Sequence, residues 1–158
     1  MFKNNPALSQ AMLAALKSEL DGGAIHVFSG AEPLTADAPL DMSGTHTHLF
    51  TLLLDGTDGL ELSAPNGASV SKPVGAVWTG LVSFDGAEDS AASLPPSFFR
   101  FCTAGDDGRG AGANARVQGS AGGPASAADM KLGSDTLVDD SVSTASVVAF
   151  NYYIGSMG

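Results

Sequence analysis

The chain changes character at Gly22 and Gly23, and this change constrains the fold more than any other feature of the sequence. Beyond it, short runs of β-branched, aromatic and other apolar residues alternate with clusters of Gly, Asp, Ser and Pro, which predicts strands joined by turns. The eight predicted strands are AIHVFS (24–29), HTHLFTLLLD (46–55), LELS (60–63), GAVWTGLVSF (75–84), SFFRFCT (97–103), ARVQGS (115–120), DMKL (129–132) and VSTASVVAFNYYI (142–154). Eight short strands favour a β-sandwich or a jelly roll.

One amphipathic helix is predicted before the strands. Asn5 and Pro6 are typical of a helix N-cap and first turn, and the Gly pair at 22–23 ends the pattern. The apolar positions recur every four residues, at Leu8, Met12, Leu16 and Leu20. At 158 residues the chain fits one β-rich domain, 1–158, with a helix or arm at 6–22 and a sandwich body at 24–154.

The charge balance argues against several classes of partner. Asp and Glu number 17 against 7 Lys and Arg, which gives a net charge of −10. Such a chain repels the phosphates of nucleic acids and anionic membrane surfaces. No apolar run approaches the ~18 residues that span a bilayer, so we expect no membrane association. With only 15% charged residues, the surface is neutral in a way typical of protein–protein contact.

Nothing in the sequence predicts an enzyme. GRGAGA (108–113) satisfies the pattern G-x-G-x-x-A, but a predicted strand follows it, whereas a dinucleotide site needs a helix there. Three histidines, three arginines and four lysines offer few groups for acid–base chemistry. Cys102 lies in an apolar run, where a buried thiol is expected. A chain with a single cysteine has no internal disulfide, so we expect it to be made in a reducing cytoplasm. We expect no catalytic residues and no cofactor.

Two patterns raise the question of a metal ion. His46 and His48 would point to the same side of a strand, but no third ligand is evident beside them. DGTDG (55–59) and the Asp106–Asp107 pair resemble oxygen ligands for Ca²⁺, yet Asp-Gly turns form without any ion. We therefore predict no metal site.

The order of the segments resembles a group of small virion structural proteins of tailed bacteriophages. The helix is followed by IHVFSGAEPLTADAPL (25–40) and later by FFRFCTAGDDGRG, ARVQGSAGG, ADMKLG and a closing alternating strand. The resemblance covers nearly the whole chain. It implies a decoration or cement protein on the outer surface of the phage head, made in the host cytoplasm, which binds the major capsid protein and assembles as a dimer or trimer.

Two alternatives to head decoration stay open. The first is a neck, tail or baseplate component of the same virion. The second is a carbohydrate-binding module, which would need exposed aromatic side chains such as Trp78. The candidate partner-binding residues are Leu8, Met12 and Leu16 on the helix, and Asp106 and Asp107 in an acidic loop.

Overall fold

The computed structural model describes residues 3–154 and shows a mainly β chain with one N-terminal helix, as predicted. Residues 1–2 and 155–158 of the predicted domain lie outside the described residues. The elements are α1 (Pro6–Leu20), β1 (Ala24–Ser29), β2 (Thr47–Leu54), β3 (Ser69–Ser71), β4 (Trp78–Leu81), β5 (Asp85–Gly86), β6 (Ser93–Leu94), β7 (Phe98–Cys102), β8 (Arg116–Gly122), β9 (Met130–Leu132), β10 (Leu137–Val138) and β11 (Thr144–Tyr153).

Seven of the strands form one closed, barrel-like sheet. Their order is β1-β7-β8-β9-β11-β4-β2, and β2 pairs with β1 to complete the ring. Every pairing in the ring is antiparallel except that of β8 with β9. The predicted sandwich or jelly roll is not confirmed, because the strands pair continuously around the ring and do not form two facing sheets. Closure pairs strand edges that an open sheet would expose.

The interior of the barrel is filled by apolar and aromatic side chains. Trp78 lies 5.6 Å from Phe150 and 6.1 Å from Phe101, measured between ring centroids. Gly80 on β4 permits a close approach, because a Cβ atom there would lie 2.0 Å from the backbone oxygen of Thr51 on β2. The most deeply buried members of this core include Leu13, Ile25, Val27, Leu49, Leu52, Leu60, Val70, Phe101, Met130 and Leu132.

Residues 60–63 do not form the predicted strand. Leu60 makes only a single bridge, to Gly23, and the following residues have no regular structure. The apolar side chains of LELS are nevertheless buried, since Leu60 and Leu62 both belong to the core. The alternation of apolar and polar residues in this segment therefore predicted the burial of its leucines correctly, but the prediction of a paired strand was wrong.

The helix packs against the barrel with a different stripe from the one predicted. Asn5 accepts a hydrogen bond from the Leu8 N–H at 2.8 Å, as expected of an N-cap. The buried side chains are those of Ser9, Leu13 and Leu20, and Leu16 also packs on the core. A strict four-residue spacing drifts around a helix that turns about 100° per residue, so Leu8 lies about 120° away from Leu20. The early part of the predicted stripe therefore faces away from the barrel.

Candidate interaction surfaces

Two long loops cover one outer side of the barrel. The first loop (residues 30–46) joins β1 to β2, and the second loop (residues 103–115) joins β7 to β8. The loops are bonded to each other, since the Leu40 N–H donates to the Arg109 oxygen at 2.7 Å. They enclose a layer of polar side chains, which we call the buried polar layer: His26, Thr51, Arg100, Asp106, Arg116 and Gln118.

Arg100 of β7 lies at the centre of the buried polar layer and is fully buried. Its Nε donates to the Gln118 side-chain oxygen at 2.9 Å. Its two terminal nitrogens donate to the Gly108 oxygen at 2.7 Å and to the Thr35 oxygen at 3.3 Å. Burial lowers the pKa of this guanidinium. Arg100 thus ties both loops to the sheet through backbone acceptors.

Arg116 and Asp106 form a second tie between the loops. Arg116 donates through Nε at 2.6 Å and through Nη2 at 2.7 Å to the two carboxylate oxygens of Asp106. The remaining terminal nitrogen reaches the Ala36 oxygen at 3.2 Å and the Gly110 oxygen at 2.8 Å. The hydrogen bond from Arg116 is the main cause that lowers the pKa of Asp106. Two-point contact of this kind fixes both side chains in one geometry.

Two histidines of the same outer side share one hydroxyl group. The oxygen of Thr51 lies 2.9 Å from Nδ1 of His26 and 3.0 Å from Nε2 of His48. Because Nε2 of His26 must donate to the Asp106 carbonyl at 2.9 Å, its Nδ1 accepts the Thr51 hydroxyl proton, and His48 donates to Thr51. Burial lowers the pKa of His26 and lowers that of His48 to about 4. Both rings are neutral at pH 7.

His46 and His48, the pair considered above as metal ligands, make hydrogen bonds within the protein instead. The Asp41 N–H donates to Nδ1 of His46 at 3.0 Å, and Nε2 of His46 donates to the Ala31 oxygen at 2.8 Å. Both nitrogens of this ring therefore hold the first loop, while His48 bonds to Thr51. Within residues 3–154, no three His, Cys, Asp or Glu side chains come together in a metal-binding arrangement.

The predicted partner-binding residues fall into two groups. Leu8 is 50% and Met12 is 42% exposed, so both are accessible, and Asp107 is also exposed. Leu16 packs partly against the core, and the Asp106 side chain is only 6% exposed and paired with Arg116. Leu16 lines one cavity together with Arg116, the partner of Asp106.

Aromatic side chains and the cysteine lie mainly inside the protein. Trp78 is 1% exposed, and Phe98, Phe99 and Phe101 are at most 2% exposed. The expected burial of Cys102 is confirmed, and burial raises the pKa of its thiol to about 12. Trp78 therefore offers no stacking surface for a sugar, and the thiol is not an activated nucleophile.

An outward side of β4 and β11 is uncovered, and sequence reasoning did not identify it as a contact surface. Leu81 is 52%, Val142 is 77% and Val148 is 55% exposed. The pairing places Leu81 opposite Thr144 and Thr79 opposite Ser146. We call this surface the β4–β11 face, and it consists of Thr79, Leu81, Val142, Thr144, Ser146 and Val148. The signal in the sequence was the alternation of Val142, Thr144, Ser146 and Val148 without a charged residue.

Comparison with known proteins found no similarity that identifies the chain: no protein-family model matches it, and neither do curated proteins or solved structures. Among residues 3–154, no helix combines the length and the apolar character that crossing a membrane requires. Functional inference therefore rests on the β4–β11 face, the exposed part of α1 and the buried polar layer.

Proposed function

We propose that the protein is a structural component of a bacteriophage virion, a decoration or cement protein that binds the major capsid protein on the outer surface of the head. The observation that carries this proposal is the β4–β11 face. On a chain with a net charge of −10, this face has no charged side chain and exposes three large apolar ones. Depletion of charge together with exposed apolar groups is typical of the core of a protein interface.

The buried polar layer supports the proposal by explaining the segments on which the phage resemblance rests. IHVFSGAEPLTADAPL (25–40) provides β1 and the part of the first loop whose backbone accepts from Arg100 and Arg116. FFRFCTAGDDGRG (98–110) provides Arg100 itself and Asp106. The motifs are thus side chains and loops that depend on each other for structure, as expected of a scaffold and not of a catalytic site.

A decoration protein acts through mass action. It binds the assembled shell and not the free subunits, so its affinity adds to the stability of the shell. A rigid docking face increases that affinity, because little conformational freedom is lost on binding. The face lies on paired strands of a closed sheet, so it meets this requirement. The role does not depend on the sandwich expected from the sequence, since a closed barrel presents an outward strand face equally well.

The same proposal includes assembly and location. We propose a dimer or trimer at the symmetry axes of the capsid, made in the host cytoplasm and carried on the particle. Leu8 and Met12 provide a second exposed apolar area for contact with a neighbouring subunit. A neck, tail or baseplate component would use similar surfaces and differs in copy number and in the partner bound. Co-sedimentation with heads and with tails separates the two roles.

The test is co-sedimentation of the purified protein with phage heads that lack it, with tail preparations run in parallel. Saturable binding of hundreds of copies per head supports decoration. Binding of a few copies, or binding to tails, assigns the protein to the neck or tail. Absence of binding to both contradicts a role in the virion.

Matched variants connect the result to the β4–β11 face. Leu81→Lys and Val148→Lys each place a charge in the face and are expected to reduce head binding at least tenfold, a loss of about 1.4 kcal/mol. Leu34→Lys is the control, because Leu34 is fully exposed on the first loop, away from this face. Equal binding by all three variants would show that another surface contacts the shell.

A further inference from the structure

The closed sheet contains a gap where β9 ends. β9 lies between β8 and β11 but has only three residues. It pairs with β8 only at Ala121 and Gly122, and its pairing with β11 stops at Phe150. β11 continues to Tyr153, and β8 extends back to Arg116. Both strands therefore have a stretch with a sheet partner on one side only.

The backbone groups of these stretches point into the gap. The Ser120 N–H, on the β9 side of β8, bonds to the Asp129 carboxylate at 2.9 Å. Since backbone groups of successive residues point to opposite sides of an antiparallel strand, those of Gln118 point the same way. On β11, the Phe150 oxygen and the Ile154 N–H bond on the β3 side. Those of Asn151 and Tyr153 therefore point away from β3: the pairing of Phe150 with Met130 places the Asn151 N–H on the Asp129 oxygen, and beyond this pair the register gives the Tyr153 N–H no partner on β9.

The two free edges line one cavity of about 300 Å³, which we call the strand slot. Strands lie about 4.8 Å apart, so β8 and β11 with one strand missing between them are separated by about 9.6 Å, enough for a single extended chain. The stretch from Asn151 to Tyr153 is three residues, or about 10 Å, long. The slot is lined by Phe99, Val117, Gln118, Gly119, Asp129, Phe150, Asn151, Tyr152 and Tyr153.

We propose that the strand slot binds an extended segment of a partner polypeptide, which adds a strand in line with β9 and pairs with both edges. Because β8 and β11 run in opposite directions, the segment pairs parallel to one and antiparallel to the other, whichever way it enters. Phe99, Phe150 and Val117 require small apolar side chains on the inward side of the segment.

The charges select the outward side chain of the segment. Asp129 is the one charged residue in the described lining, and its carboxylate lies beside Ser120 at the outer rim. The whole chain carries a net charge of −10. A basic side chain between two small apolar ones is therefore the complementary pattern, and an acidic one is disfavoured. This inference concerns how a partner is held and is independent of the proposed place on a phage particle.

The test is amide hydrogen exchange, measured by NMR on the full chain with a probe peptide, acetyl-Thr-Val-Lys-Val-Thr-amide. Strand addition is expected to slow exchange at Gln118 and Tyr153 about tenfold, because their N–H groups gain acceptors. Tyr152, already paired with Val70 of β3, is the internal control and is expected to stay unchanged. Peptides with Glu in place of Lys, or with N-methylated central residues, are expected to protect much less.

Two variants locate the binding. Tyr153→Pro removes an N–H that points into the slot and takes no part in the pairing with β3, and it is expected to abolish the protection at Gln118. Tyr153→Ala keeps this N–H and is expected to retain the protection, because strand pairing uses the backbone. Asp129→Asn is expected to remove the preference for Lys over Glu, and it tests the slot even where Tyr153→Pro fails to fold.

Three results would overturn the inference. The first is unchanged exchange at the slot at the highest soluble peptide concentration. The second is equal protection by the N-methylated peptide, since that would mean contact without strand pairing. The third is protection that appears when the protein alone is concentrated, which would assign the slot to a second copy of this chain.

Discussion

The substitution Asp106→Asn tests whether the buried polar layer stabilises the fold. Both side chains of the Arg116–Asp106 pair are nearly inaccessible, at 4% and 6% exposed. Removing one member of a buried ion pair leaves an uncompensated charge and costs about 3–5 kcal/mol. Asn keeps one acceptor oxygen for Arg116, so we expect the low end, about 3 kcal/mol. This is a large fraction of the 5–15 kcal/mol that is typical of a domain.

The same pair predicts a pH dependence with a definite sign. The hydrogen bond from Arg116 holds the pKa of Asp106 below its usual value. A carboxyl whose pKa is lower in the folded chain contributes stability that is fully present above the unfolded pKa, about 3.9, and is lost as the pH falls through the folded pKa. The difference in unfolding free energy between wild type and Asp106→Asn is therefore expected to shrink below about pH 4.

The assay is urea denaturation of both proteins at neutral pH and in acid, with Asp107→Asn as the matched control. Asp107 is exposed and its side chain only accepts from the Arg109 N–H, a role that Asn also fills. The control is expected to change stability by less than about 0.5 kcal/mol. A loss below about 1 kcal/mol for Asp106→Asn, the range of exposed pairs, would refute the reasoning. So would a difference that does not change with pH.

Three further predictions follow from burial. Leu13→Ala is expected to cost about 2–5 kcal/mol in urea denaturation, since Leu13 is fully buried, whereas Leu8→Ala, half-exposed, is expected to cost under about 0.5 kcal/mol. His48, with a pKa of about 4, is expected to stay neutral at pH 5 in an NMR titration, and a titration midpoint near 6.5 would contradict this. Because the imidazole of His48 binds a proton more readily in the unfolded chain, the free energy of unfolding is expected to fall as the pH drops from about 6.5 to 4. Burial raises the pKa of Cys102 to about 12, so iodoacetamide is expected to label it at pH 8 only after unfolding; rapid labelling of the folded protein would contradict its burial.

Local patterns in the sequence predicted most of the long strands. The predicted strand AIHVFS (24–29) is β1. The predicted strands 46–55 and 97–103 extend one residue beyond β2 and β7 at each end. The prediction is correct for these segments because their β-branched and aromatic residues are bounded by turn residues. GAVWTGLVSF (75–84) was too long, since only Trp78–Leu81 pairs as β4. The close approach of β4 to β2 at Gly80 is a tertiary contact that no local pattern reveals.

The closed sheet and the buried polar layer were not predictable from local patterns. Closure depends on β11 pairing with both β9 and β4, and the pairing with β4 joins residues far apart in sequence, such as Thr144 and Leu81. Arg100 lies in the apolar run of β7, and two of its partners belong to loops whose path is set by tertiary contacts. Asp106 was predicted to bind a partner from an acidic loop, whereas its side chain is buried in a pair with Arg116, ten residues further along the chain.

The central position of β11 in the ring also determines when the fold becomes complete during synthesis. β4 and β9 each need β11 to cover an edge, and β11 follows all the other strands of the ring along the chain. A nascent chain that ends before residue 144 therefore carries two uncovered strand edges, which are prone to pair with other chains. Pairings between distant segments also form slowly. The aggregation-sensitive interval of this protein thus lasts until β11 has left the exit tunnel, and slower translation of the codons for residues 144–153 prolongs it.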